Sequence, residues 1–213
     1  MLAFLALAIT LFPVADNNVN SMFMPSDGER NIITYTLNNT SWLAISGSTN
    51  INSFECLSSN AVPNNNIIVK ASHEKEKLSF SNAVILVEVG SFDCKNPLIN
   101  RDMYKALGGT NDSFIEIKLL EVKPTSGNWY THDGNLTASL EISINGISRI
   151  KEMKIDWQNA GGIEYHFIGR ADISMSDFDI DPPSPALGMV KVNDSITVSF
   201  NYSVKSEEIS RLD

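Results

Sequence analysis

Three aspartates stand at alternate positions in the run MSDFDIDPPSPALG, Met175 to Gly188, just ahead of a double proline: Asp177, Asp179 and Asp181. Carboxylates spaced in this way open the calcium loop of a helix–loop–helix hand, which also needs a glycine at position 6 and an acid at position 12. Those positions hold Pro182 and Gly188, so the metal signature fails twice. The competing reading is a strand end. If Ser176 to Asp181 is extended, the acids project to water on one side while Phe178 and Ile180 project inward on the other. Pro182 and Pro183 then stop the pairing, because neither has an N–H to give to a ladder. No metal is expected here.

Other chemistry-bearing residues are sparse. His73, His132 and His166 lie far apart, none sits in a metal or nucleophile motif, and alternation puts His166 on the wet face of its strand. The chain has no G-x-S-x-G elbow, no cysteine–histidine pair at a known spacing and no glycine-rich phosphate loop. The expectation is a protein that is not an enzyme and carries no cofactor. Cys56 and Cys94 are the two cysteines, and their spacing fits no zinc pattern. They read either as a disulfide made in an oxidising compartment or as two buried thiols.

The 213 residues suffice for one domain with a sizeable core. A formal charge of −9, from 25 acidic and 16 basic side chains with no basic cluster, argues against nucleic acid and against docking on anionic lipid. At the N-terminus, MLAFLALAITLF is an apolar block of signal-peptide length, too short for the about 20 apolar residues a bilayer span requires. No basic residue precedes it, and cleavage after Ala15 would place Pro13 at the −3 position. Both features count against a simple leader, but the apolar block still leads us to expect a signal peptide over residues 1–15, followed by a polar arm over residues 16–31. Such a protein is periplasmic or secreted, and peripheral to a membrane at most.

From Thr34 onward the apolar pattern has period 2. Leu136, Ala138, Leu140, Ile142 and Ile144 alternate with polar residues, as do Ile163, Tyr165 and Phe167, and then Ile196, Val198, Phe200, Tyr202 and Val204. Further strands are expected at 34–38, 41–47, 51–57, 66–71, 83–89, 114–122 and 148–157, joined by turns such as NGIS and NAGG. In NPLINRDMYKALGG, Ile99, Met103, Ala106 and Leu107 fall at helical spacing, with Asn100 as a cap and Gly108–Gly109 as the stop. Many strands with one apolar face must close on themselves or stack as two sheets, so barrel and sandwich both remain.

Several segments resemble one family. MSDFDIDPPSPALGMVKVNDSITVSF is similar to the C-terminal signature of the YceI-like proteins in its Bacteroidetes form, MxDFGI-PPT-LG-(I/V)K-D-(V/I)T. In family order, LAISGSTNINSFEC resembles the early L-I-GTSNVH-W-C strands, VEVGSFDC a later strand end, NRDMYKALGG the MDxxMYKAL helix and ISINGISR the L-I-G-V-TK strand and turn. The likeness runs from about Ile33 to Val204. Asp179 stands where the family usually has Gly, Asn52 where it often has His, and the usual Tyr-Pro after the helix is missing.

The resemblance implies an all-β domain over residues 32–205, an extended eight-stranded antiparallel lipocalin-like β-barrel with one short helix near 99–107, followed by a tail at 206–213. It also implies an elongated apolar cavity holding a polyisoprenoid or similar long apolar lipid. Alternation assigns Ile115, Ile117, Leu119, Leu140, Ile142, Tyr165, Phe167, Val198, Phe200 and Tyr202 to the inside, with Phe178 beside them. The alternative is a secreted β-sandwich or ligand-free barrel acting as a structural or interaction module. A homodimer stays open.

Overall fold

The computed structural model describes residues 30–58, 66–74, 76–109, 113–125 and 133–212. The signal peptide and most of the arm expected over residues 1–31, and His132, lie outside the described residues. The first strands in chain order are β1 (Arg30–Leu37), β2 (Trp42–Thr49), β3 (Ser53–Ser58), β4 (Asn66–Glu74), β5 (Lys77–Ser81) and β6 (Val84–Glu88). A helix, α1 (Pro97–Ala106), separates them from β7 (Phe114–Pro124), β8 (Asp133–Ile144), β9 (Ile147–Gly161), β10 (Glu164–Ser174) and β11 (Val192–Leu212).

Eight of these strands form a closed antiparallel ring in the order β1, β4, β5, β7, β8, β9, β10, β11, with β11 returning to β1. Closure hides the apolar face and leaves none of these eight strands as an edge along the whole of its length, so the barrel rather than the sandwich is formed. The 21-residue β11 has two partners in succession: Val192 to Asn201 pairs with β2, and Val204 to Leu212 pairs with β1. At the break between them, Ser203 O keeps a backbone bond from Asn38 N at 2.8 Å, and buried Ser41 supplies the acceptor for Ser203 N. Ser41 Oγ accepts from Ser203 N at 3.1 Å and donates to Ser203 O at 3.3 Å. β7 does the same with β6 along Phe114–Lys118 and with β5 at Glu121–Val122.

Because β2 leaves the ring to pair with β3, one end of the barrel flares. The gap between β3 and β6 is spanned by a single bridge, Leu57 to Asp93, and by α1. A disulfide joins Cys56 on β3 to Cys94 just ahead of the helix, closing a loop of sequence separation 38. Asn96 caps α1, its Oδ1 accepting from Leu98 N at 2.9 Å, with Pro97 in the first turn where no N–H is missed.

Four expectations are corrected. The cap is Asn96 rather than Asn100, which instead accepts from Cys94 N at 2.7 Å and donates to Asp93 Oδ1 at 3.2 Å. β5 was not expected, since Leu78 and Phe80 alone give too short an alternation to stand out. Residues 206–212 are not a tail: their backbone pairs with Arg30 to Tyr35 and completes the closure. The fourth is the strand expected over Ser176 to Asp181, which is a 3₁₀ turn at Met175–Phe178 followed by Asp179 in the left-handed region at φ 55°.

Replacing both Cys56 and Cys94 by Ser should lower unfolding free energy by about 4 kcal/mol, the chain-entropy value for a loop of this length. Urea unfolding of the oxidised protein and the double variant measures it. Coincident curves, with two titratable thiols in the unreduced wild type, would show that no bridge forms.

Candidate functional site

The interior of the barrel has two levels, set by side-chain size. Around Trp157 of β9, Tyr165 and Phe167 in the first half of β10 and Phe200 and Tyr202 in the middle of β11, the inward residues are large rings. Trp157 and Tyr165 have centroids 6.4 Å apart, Tyr165 and Phe167 6.4 Å, and Phe200 and Tyr202 4.6 Å. An eight-stranded barrel is just wide enough for such groups to fill. Gly169 pairs with Phe200 and leaves room for its ring; a Cβ there would lie 2.3 Å from the Phe200 ring.

Toward the flared end the inward residues become aliphatic. Ile115 and Ile117 on β7, Ile142 and Ile144 on β8, and Ile196 and Val198 on β11 surround a cavity of about 240 Å³. Leu43 and Ile45 of β2, with Phe54 of β3, form a second wall. The third is α1, whose Ile99, Met103 and Ala106 face inward and whose exposed side carries Leu98, Arg101 and Lys105. A fourth wall is the segment from Met175 to Val192, which brings Phe178, Ile180, Pro183 and Val190 against the opening. The polar lining residues are Thr49, Asn52 and Asp102, all at the mouth.

Polar clasps hold the irregular walls. Asp194 accepts from Ser176 N at 2.8 Å and Ser176 Oγ at 2.7 Å, and these bonds hold its carboxyl below the usual range. Lys151 pairs with Asp177. Asn50 donates through Nδ2 to Met189 O at 3.0 Å and accepts from Lys191 N at 2.8 Å, tying the segment to the β2–β3 turn. Asp93 accepts from the Lys95 side chain and backbone and from Asn100, which lowers its carboxyl to about 2. A depressed acid supports the fold above its unfolded value, and that support disappears as pH falls through about 2. Burial drives the phenols of Tyr35 and Tyr202 well above their usual range, so both stay neutral in the packed level.

Of the residues assigned to the cavity by alternation, Ile115, Ile117, Ile142 and Val198 line it, and so does Phe178. Leu119, Leu140, Tyr165, Phe167, Phe200 and Tyr202 belong to the packed level and do not border it. Period 2 assigns a face but not a depth, so the two groups look alike in sequence. The contributions of β2 and β3 were missed, as were those of the Met175–Val192 segment beyond Phe178. For α1 the signal existed, because an amphipathic helix in a β protein must cover something apolar.

The aspartate run now has a place. Phe178 and Ile180 are buried and inward, while Asp177 pairs with Lys151 and Asp179 and Asp181 face water. Because the backbone turns, the three acids do not share one face. Among the described residues no group of three His, Cys, Asp or Glu side chains is placed to hold a metal. His166 lies on the outer surface beside Asp133 and Asp156, away from the cavity.

No family model matches the chain. No curated protein matches it either. Solved structures that are similar include two bacterial folds. A polyisoprenoid binding domain from Saccharophagus degradans, implicated in plant cell wall breakdown, superposes with a TM-score of 0.55 at 10% identity, covering 81% of this chain and 98% of that one. BcnA of Burkholderia cenocepacia gives 0.58 at 14% identity, covering 78% and 98%. The likeness is one of fold. The chain has the lipocalin-like barrel of these proteins.

Two outcomes follow from the site. In Gly47→Ala the new Cβ would stand 2.5 Å from Phe54 Cζ, so the ring must swing, and Phe54 borders the cavity. Titration with an apolar fluorescent dye should show several-fold weaker binding at a nearly unchanged melting temperature. An unchanged affinity would mean that Phe54 does not border the space the dye uses. Calcium at roughly tens of micromolar should leave the melting temperature where it is, because a site occupied at that level would raise it by mass action; a rise would place a metal on the aspartate run.

Proposed function

We propose that this is an exported binding protein for a long apolar lipid of isoprenoid type, held in the barrel without covalent chemistry. The observation that carries the reading is the cavity itself, closed at one end by packed rings, walled by aliphatic side chains and open at the other end beside Thr49, Asn52 and Asp102. Moving a prenyl chain from water into such a slot is favourable by about 25 cal/mol per Å² of apolar surface removed.

Three further facts support the reading. One structure sharing the fold is described as a polyisoprenoid binding domain. The segments that resemble the YceI-like proteins fall on the cavity: LAISGSTNINSFEC forms β2, its turn and β3, NRDMYKALGG is α1, and the C-terminal signature is the fourth wall with the start of β11. The Cys56–Cys94 bridge suits an oxidising compartment, in keeping with a periplasmic or secreted protein. A second reading, an interaction module, draws on exposed Val84, Leu86 and Phe114 on the outer face of β6 and β7.

Organic extraction of the purified protein, with native mass spectrometry before and after, should yield a prenyl lipid. In Ile142→Gln a polar amide enters the cavity wall, and co-purified lipid should fall several-fold while the fold survives in thermal melts. Were Ile142 packed against protein alone, the unpaired amide would instead cost about 1 to 3 kcal/mol of stability with no lipid to lose. Ser199→Gln, on the other face of β11, should change neither. If wild-type protein releases no apolar ligand and added polyprenol leaves its melting temperature unmoved, the interaction-module reading replaces this one.

A further inference from the structure

We infer that Phe200 is the floor of the cavity and sets how much of a lipid chain the barrel takes: about ten carbons, or two prenyl units, inserted apolar end first. The inference rests on the lipid-binding reading above and adds the length and direction of the bound chain. Phe200 stands where the two levels of the interior meet. On one side it pairs with Leu43, which borders the cavity, and on the other with Gly169. One step toward the mouth on the same face of β11 is Val198, a lining residue, and one step deeper is Tyr202 of the packed level.

The ring lies across the neighbouring strand. A Cβ on Gly169 would stand 2.3 Å from Phe200 Cε1, 2.5 Å from Phe200 Cζ and 3.0 Å from Met153 Sδ, so the ring and the thioether meet over the bare backbone of β10. One side chain of β11 thereby reaches over β10 to β9, which glycine alone permits, since any side chain on Gly169 would take the place of the ring. Tyr202 supports the ring from the packed side, with centroids 4.6 Å apart. Across the barrel from β11, the pair Leu119 and Leu140 follows Ile117 and Ile142 inward and no longer borders the cavity.

Volume gives the length. An apolar cavity of about 150 Å³ lined by Leu, Ile and Phe takes up one six-carbon benzene ring. At a similar filling, the space of about 240 Å³ above Phe200 holds about ten carbons. Polarity gives the direction. Leu119, Leu140 and the Phe200 ring offer a hydroxyl no hydrogen-bond partner, so a polar end carried to the floor would be buried unpaired. At the mouth it meets water and the side chains of Thr49, Asn52 and Asp102. The chain therefore enters apolar end first, and carbons beyond about the tenth stay at or outside the mouth, where they gain little from burial.

Displacement of an apolar fluorescent dye by prenols of increasing length tests the floor: dimethylallyl alcohol, geraniol, farnesol and geranylgeraniol, which carry one to four isoprene units. In wild type, affinity should rise roughly a hundredfold from dimethylallyl alcohol to geraniol, because each buried methylene is favourable, and then change by less than about threefold through geranylgeraniol. Phe200→Ala removes a ring close to one isoprene unit in size, so farnesol should bind that variant about tenfold or more tighter than geraniol does. Phe200→Leu keeps more of the core and should shift the same way by several-fold, which decides the matter if thermal melts show the alanine variant unfolded. Wild-type affinity that climbs about tenfold or more beyond geraniol overturns the floor and leaves lipid binding standing. So does a wild-type plateau retained by a folded Phe200 variant. If no prenol displaces dye from wild type and extraction yields no lipid, the lipid-binding reading falls and the floor with it.

Discussion

The ladder of β11 is the constraint on which the rest of the barrel depends. A sheet with one apolar face must close to keep that face dry, and here the closing strand is 21 residues long while each neighbour on that side is 8. No single partner spans it, so β1 stops at Leu37, Ser41 fills the broken ladder through Ser203, and β2 resumes the pairing. From that break β2 turns away with β3, the wall opens, and a helix stapled by Cys56–Cys94 becomes necessary to cover what the strands no longer cover. The flare, the helix and the cavity are one consequence.

Side-chain volume then decides where the interior is full. Rings of Trp157, Tyr165, Phe167, Phe200 and Tyr202 occupy the evenly closed level, with Gly169 yielding space to Phe200. Isoleucines and valines occupy the wider level and are too small to meet across it. Native interiors are packed near crystal density, so an apolar void between several independent walls sets this level apart from the packed one.

The walls without regular structure are kept in place by side-chain polar bonds. Asp194 and Asp177 hold the 3₁₀ turn that aims Phe178 and Ile180 inward, and Asn50 holds the far end of the same segment. Asp93 fixes the entry to α1 with three hydrogen bonds, of which the one from Lys95 Nζ is also an ion pair. The acids that looked like metal ligands are in part the fastenings of an apolar pocket. A carboxylate accepts several bonds at once, which suits it to capping a turn as well as to binding a cation.

Local pattern carried a good deal of this. Alternation in β8, β10 and β11 told inside from outside because a strand's side chains alternate strictly, and Asn145–Gly146 marked the β8–β9 turn because both residues sit at positive φ there. The helical spacing of Ile99, Met103 and Ala106 gave α1 its buried face. What alternation could not supply was depth along the barrel axis, so Leu140 and Ile142, two residues apart on the same face, looked equivalent although only Ile142 borders the cavity. The extended reading of Ser176 to Asp181 failed for a related reason: bonds to Lys151 and to Asp194, distant in sequence, favour a turn over a strand. Sequence by itself determined the strands, the one helix and their faces, since those follow from bonds and periodicities within a few residues. The tertiary structure alone decided closure, the flare, the level at which the interior opens and the rim around it, because each depends on which distant strand meets which half of β7 and β11.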